Sequence, residues 1–211
     1  DCAHSFCGEY NNKVMGTFAD FAVFSFYATK SITCGEGGAI ITNHKKYADI
    51  IRSVSNNGMT KPAFKRFVNN RYIPWDVYNF GFKANLSDIN ASILEDQVSS
   101  YSKIAILKKK LFKKYIYNLN NIKEVSLPSE NKNKNRDYYL FPIGVDKKYR
   151  NKLIEYLLKN KIFVTVNFKS ISELHYYKKK YKNTKCPRSE EWGKETISLP
   201  FHVKITEKEI K

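Results

Sequence analysis

Residues 20–43 constrain the fold of this chain more than any other stretch. After its leading Asp20, "DFAVFSFY" (20–27) is uncharged and rich in aromatic residues, the signature of a strand buried on both faces. "GGAIITN" (37–43) reads as a second short apolar strand. Between them lie one isolated lysine, Lys30, and a glycine-rich turn with a single acid, Glu36. Two apolar strands across such a turn suit an α/β sheet. A lone lysine at the end of a buried strand is the feature that needs a reason.

The rest of the chain alternates helices and short strands. "HKKYADIIRSVSNNG" (44–58) reads as a helix with Tyr47, Ile50, Ile51 and Val54 on one face, stopped by Asn-Gly. Residues 60–86 are irregular, with aromatics among basic residues and prolines, as in a substrate or subunit-contact loop. Ser87 and Asp88 cap a helix to about residue 97. A second amphipathic helix follows, roughly 100–120, with Ile104, Leu107, Leu111 and Tyr115 on one face. After a polar stretch (121–137), strands are expected at 138–145 and 162–168, with a helix at 148–160 between them. A short helix near 188–195, an "ISLPF" segment and the capped "TEKEIK" (206–211) complete a small α+β region.

Only two or three strands are legible before residue 105, too few for a covered sheet, so an edge and a face should be exposed. Both ends therefore read as cut from a longer chain. The expected organisation is residues 1–105 as the remainder of a large domain and 106–211 as a small α+β domain.

Lys+Arg is 37 against Asp+Glu 20, a formal charge of +17. The lysines are spread through helices and linkers such as "LKKKLFKKY" (107–115), "NKNKNR" (131–136) and "YYKKKYKNTK" (176–185). This pattern favours a solvated basic surface over a nucleic-acid groove, and such a surface also suits small anions such as nucleotides. Cys2, Cys7, Cys34 and Cys186 form no CxxC pair or zinc spacing, which reads as free thiols in a reducing compartment. No apolar run reaches the roughly 18 residues of a membrane span, and a cytoplasmic location is expected.

Desolvation favours the neutral amine of a buried lysine, and a neutral amine attacks aldehydes. Spacing alone favours a plainer reading, in which Lys30 snorkels or pairs with Glu36. With Asp1, His4 and Ser25 added, Asp1, Ser25 and Lys30 fill by type the roles that pyridoxal phosphate needs: a carboxylate at the ring nitrogen, a hydroxyl on the phosphate and an amine at the aldehyde. Taken singly, such an Asp is usually a cap and such a Ser only a Ser.

"DCAHSFCGEYNNKVMGTFADFAVFSFYATKSITCGEGGAIITN" closely resembles the pyridoxal-phosphate-dependent sugar-nucleotide aminotransferases of the DegT/StrS family, which have fold type I. "NNGMTKPAFKRF", "GFKANLSDINASI", "ISLPF" and "LHYYKKKY" extend the resemblance over essentially all 211 residues. It implies an α/β fold: the C-terminal part of a large mixed-sheet, cofactor-binding domain, followed by a small α+β domain. A further large-domain segment precedes this part in the family, carrying a helix N-terminus for the phosphate and an aromatic that stacks on the ring.

The resemblance implies roles. Lys30 matches the lysine that bonds the cofactor aldehyde and then shuttles the substrate proton. Asp1 matches the partner of the pyridine nitrogen, His4 the residue near the ring, and Ser25 a phosphate ligand. Asn85 matches the asparagine that reaches the phosphate of a neighbouring subunit, which implies a homodimer with shared sites. Glu36 and its glycines shape the turn. The implied reaction moves an amino group from glutamate onto a nucleotide-linked keto-sugar, for polysaccharide or glycoconjugate biosynthesis. A related branch carries histidine in place of the lysine and dehydrates its substrate, so Lys30 argues for amino transfer. The alternative is a truncated relative without catalysis of its own, serving as a structural or binding chain. Loops 60–85 and 167–186 are expected to select the sugar, with Lys65, Arg66 and Arg71 available to a diphosphate.

Overall fold

In the computed structural model, which describes residues 1–59, 66–129 and 136–210, two hairpins turn on paired asparagines. The first joins β1 (Glu9–Tyr10) to β2 (Lys13–Val14) through Asn11 and Asn12, with φ of 49° and 59°. Strands β3 (Ala22–Ser25) and β4 (Gly38–Ile41) form an antiparallel pair with Ala22 opposite Ile41 and Ser25 opposite Gly38. Helix α1 (Lys45–Val54) follows. It ends where expected: Asn57 and Gly58 both take positive φ, a conformation these two residue types tolerate best. The second hairpin, β5 (Phe67–Val68) with β6 (Arg71–Tyr72), turns through Asn69 and Asn70 at φ 50° and 58°. Positive φ at both turn residues matches the twist of the flanking strands. It lies inside the stretch 60–86 expected to be irregular, and its Asn-Asn pair is the local turn signal that marks it.

Two further expectations are corrected here. Strand β3 is not buried on both faces: Ala22 is buried, but Val23 is 47% exposed. Its partner β4 likewise exposes Ile40 and Ile41. The two helices expected at 88–97 and 100–120 are one helix, α2 (Asp88–Leu119), of 32 residues. Ser87 caps it, its Oγ accepting the Asn90 N–H at 3.2 Å. The pair Ser99-Ser100 does not break it, because the Ser99 hydroxyl donates back to the Asp96 carbonyl at 2.8 Å within the helix.

The described residues divide into two units, Asp1–Tyr101 with Asn133–Asp137, and Ser102–Lys132 with Tyr138–Lys211. In the first, Phe26, Ile32 and Cys34 form a small buried cluster, with Phe6, Phe24, Ala39, Leu86, Leu94 and Tyr101 packed on it.

The second unit holds a three-stranded antiparallel sheet in the order β7 (Val125–Ser126), β8 (Phe141–Val145), β9 (Thr196–Leu199). Register sets Ile143 opposite Ile197. Phe112, Phe141 and Ile197 are fully buried together with Leu111 and Tyr115. Each such side chain contributes about 1.5–3 kcal/mol. The expected apolar face of α2 is thus displaced: Leu111 and Tyr115 are buried but Leu107 is exposed. Helices α3 (Lys147–Lys159), α4 (His175–Lys180), α5 (Pro187–Glu195) and α6 (Glu207–Ile210) complete it. Asp146 caps α3 by accepting the Lys148 N–H at 2.7 Å. Pro187 opens α5 at a position where its missing N–H costs nothing. Residues 162–168 form no strand; their one sheet contact is a bridge between Thr165 and Ser198. The apolar pattern there serves exposed residues such as Phe163 and half-buried Val164 rather than a ladder.

Candidate active site

The segment before β1 runs beside β3. Cys2 is buried, and its N–H donates to the Val23 carbonyl at 2.8 Å. The Asp1 carboxylate accepts the Ala3 N–H at 2.8 Å, and Ser5 N–H returns to the Cys2 carbonyl at 3.0 Å. This tight turn leaves Asp1 and His4 exposed. It sends Phe6 inward, edge-on to Phe24, Phe26 and Tyr101, with the Tyr101 centroid nearest at 4.9 Å.

Strand β3 stops at Ser25 and Lys30 lies beyond it, half-buried in a turn closed by its own N–H on the Tyr27 carbonyl at 2.9 Å. The loop folds back on itself: Phe26 N–H donates to the Gly37 carbonyl, and Cys34 N–H to the Phe26 carbonyl. Ile32, 1% exposed, anchors it in the cluster below. Ser25 Oγ faces the Tyr27 N–H at 3.4 Å. Opposite Ser25, a Cβ on Gly38 would stand 2.9 Å from the Phe24 carbonyl, so only glycine lets the strands approach there. Glu36 contributes its backbone to the turn: its carbonyl accepts Asn90 Nδ2 at 3.0 Å and faces Cys34 Sγ at 3.4 Å.

The residue that sequence reasoning missed is Asp137. It follows the polar run "NKNKNR", most of which lies outside the described residues, and nothing in its spacing marks it. Its carboxylate accepts the Phe6 N–H at 3.0 Å. The Ser31 hydroxyl lies 2.9 and 2.8 Å from its two oxygens, and the Tyr101 hydroxyl 2.9 Å from Oδ1.

Electrostatics draw these groups into one neighbourhood. Partial burial holds the His4 imidazole below its ordinary value; the Lys30 charge pushes the same way and Asp137 opposes both. The Cys7 thiol is raised by burial and by Asp137. Tyr101 is pushed up by burial and then by Asp137. His4 is therefore neutral at pH 7.

His4 thus lies within electrostatic reach of Lys30, Asp1 belongs to the turn that carries His4, and Ser25 ends β3. Asn85 does not join them. It is exposed between Ala84, whose N–H donates to Ser55, and Leu86, which packs on the cluster. Of the basic residues expected to meet a diphosphate, Lys65 lies outside the described residues. The Arg66 guanidinium stacks over Trp75 at 5.3 Å, and Arg71 is exposed on β6. Among the described residues no His, Cys, Asp and Glu gather in a group that would hold a metal ion. The four cysteines are free thiols, with Cys2 and Cys34 buried.

The family model of the DegT/DnrJ/EryC1/StrS aminotransferases matches residues 1–211. Protein MJ1066 of Methanocaldococcus jannaschii is 32% identical over 216 residues, covering 100% of this chain and 56% of the relative. The spore coat polysaccharide biosynthesis protein SpsC of Bacillus subtilis is 28% identical over 217 residues, again covering 100% of this chain and 56% of the relative. Helicobacter pylori PseC, an aminotransferase involved in the biosynthesis of pseudoaminic acid, superposes with a TM-score of 0.89 at 25% identity. It is matched over 100% of this chain and 55% of its own. Spr1654 of Streptococcus pneumoniae, in its PMP form, gives a TM-score of 0.88 at 24% identity over 100% and 53% of the two chains, a likeness of fold. The chain spans about half the length of the curated relatives it matches. Its α/β architecture is that of about half of a sugar aminotransferase of fold type I. On the match over all its residues, the chain belongs to the DegT/DnrJ/EryC1/StrS aminotransferase family.

Proposed function

We propose that this chain carries the lysine-bearing part of a pyridoxal-phosphate-dependent sugar-nucleotide aminotransferase. It moves an amino group from glutamate onto a nucleotide-linked keto-sugar, in the synthesis of a polysaccharide or glycoconjugate. The observation that carries the reading is Lys30, half-buried in a closed turn within electrostatic reach of His4, in a chain that matches the family throughout.

Enzymes of this family use pyridoxal 5′-phosphate, and the donor set here fits it: one amine, one carboxylate, one neutral imidazole and one strand-end hydroxyl. When bound, the cofactor supplies an aldehyde that takes up amines and a ring that accepts electrons. Lys30 would hold it through Nζ, and that same atom would carry the substrate proton. Asp1 would keep the ring nitrogen protonated. A neutral His4 would lie against the ring without adding charge beside Lys30. Ser25 would bind phosphate, as would Asn85 toward a second subunit of a homodimer, a role its exposure allows. The proposal assigns residues 1–105 to the large cofactor-binding domain and 106–211 to the small domain. It also places the enzyme in the cytoplasm; among the described residues no helix is long and apolar enough to cross a membrane.

The test is turnover by the full gene product with glutamate and a nucleotide-linked 4-keto-sugar, read as aminated sugar by mass spectrometry. Lys30→Ala should lower the rate by roughly 10²–10⁴-fold or more. Wild-type turnover in that variant would reject the assignment.

A further inference from the structure

We propose that Asp137 is a positioning residue that holds the Lys30 turn and the His4 turn in one fixed arrangement. The inference rests on the functional reading above for what the arrangement is for, and on geometry alone for its existence. Three separate segments end on this one carboxylate. Phe6, two residues after His4, donates its N–H at 3.0 Å. Ser31, the residue after Lys30, brings its hydroxyl within 2.9 and 2.8 Å of the two oxygens. Tyr101 of α2 brings its hydroxyl within 2.9 Å of Oδ1 and 2.7 Å of the Phe6 carbonyl. Tyr101 has one proton for two acceptors, so it binds the node and the Phe6 backbone in alternation.

The approach of Asp137 is built in. A Cβ on buried Gly8 would stand 3.3 Å from the Asp137 backbone nitrogen and 2.7 Å from Ser5 Oγ. A larger residue would press on both the node and the His4 turn. Charge-assisted hydrogen bonds are the stronger kind and are directional, so a single carboxylate fixes both turns relative to α2. A catalytic lysine needs that fixity, because misplacement by about 1 Å costs on the order of 10²-fold in rate. Among the described residues, Asp137 acts on His4, Cys7 and Tyr101, and at His4 it offsets the Lys30 charge.

The experiment uses the full gene product with Cys186 replaced by serine, which leaves Cys7 as the exposed thiol among the described residues, and alkylation is read at the Cys7 peptide by mass spectrometry. Asp137→Asn keeps the size and removes the charge. His4 is titrated by NMR of labelled histidine and Cys7 by the pH dependence of alkylation with iodoacetamide. Both values should fall by roughly half a unit to one unit, speeding alkylation of Cys7 several-fold near pH 8. Loss of stability alone would move neither in protein that remains folded. Ser31→Ala cuts one tether and leaves the charge. It should lower kcat several-fold with the KM for glutamate unchanged and the His4 titration at its wild-type position; should Asp137→Asn not fold, this variant decides. Unmoved titrations in folded Asp137→Asn, or a wild-type kcat in Ser31→Ala, would overturn the proposal. If both titrations shift in a protein that binds no pyridoxal phosphate, the node stands and the functional reading fails. If the cofactor binds normally and neither titration moves, the node fails and the functional reading stands.

Discussion

Two of the sheets among the described residues differ in how far they are covered in this chain. In the second unit β8 is enclosed, with Phe141, Ile143 and Val145 all buried against Leu111, Phe112 and Tyr115. In the first unit, among the described residues, β3 and β4 pair with each other alone, and Val23, Ile40 and Ile41 are 40–48% exposed. The residues proposed to carry the chemistry nevertheless sit in the first. Its buried cluster among the described residues is Phe26, Ile32 and Cys34 with their neighbours, Cys2 and Ala22 are buried besides, and polar contacts at Asp137 supplement it. One region is held by packing, the other by a small cluster and a carboxylate node.

Truncation should expose this contrast most strongly. Phe141→Ala removes a ring in contact with Phe112, Tyr115 and Phe201, and should cost about 3–5 kcal/mol by denaturant unfolding. Ile32→Ala in the smaller cluster should cost about 2–5 kcal/mol. Val23→Ala, on the face exposed in this chain, should stay within about 0.5 kcal/mol when the 211-residue chain itself is unfolded. A loss at Val23 matching that at Phe141 would break the comparison.

A gentler change sharpens it from the other side. Thr196 is fully buried in β9, and its hydroxyl has no hydrogen-bond partner among the described residues. Thr196→Val replaces an unsatisfied group with a methyl and should stabilise the protein by about 1 kcal/mol. A destabilised variant would show that the hydroxyl is satisfied after all. The smallest effect lies at Glu190, which accepts the Cys186 N–H at 3.0 Å and the Ser172 hydroxyl at 2.7 Å. These bonds, the backbone one first, hold its carboxyl below the ordinary range. Its stabilisation is therefore present above the ordinary carboxylate value and is lost as pH falls through the lowered one. Glu190→Gln should flatten that acid limb of the stability curve, and an unchanged limb would remove Glu190 as its source.

Much of this was legible because local chemistry and tertiary structure agree. The Asn57-Gly58 stop, the Ser87 cap and the strands around Lys30 all follow from residue type. The errors arose where tertiary context decides. The apolar run 162–168 looks like a strand, but only Thr165 finds a ladder partner. Two helices are expected, to about residue 97 and from roughly 100, yet α2 runs through both. Asp137 was invisible because its role depends on Phe6, Ser31 and Tyr101, which are remote from it in sequence. Lys30 draws notice because its isolation in an apolar segment is a local signal, but spacing alone favours a plain role, and the role proposed for it comes from the resemblance.

The central claim is that Lys30 carries the cofactor, and covalent labelling tests it most directly. The full gene product would be incubated with pyridoxal 5′-phosphate, reduced with borohydride, digested and mapped by mass spectrometry. The label should fall on Lys30 at near one per chain, and Lys30→Ala should abolish it along with the reducible absorbance band. A stoichiometric label on another lysine, or one that persists in Lys30→Ala, would contradict the account.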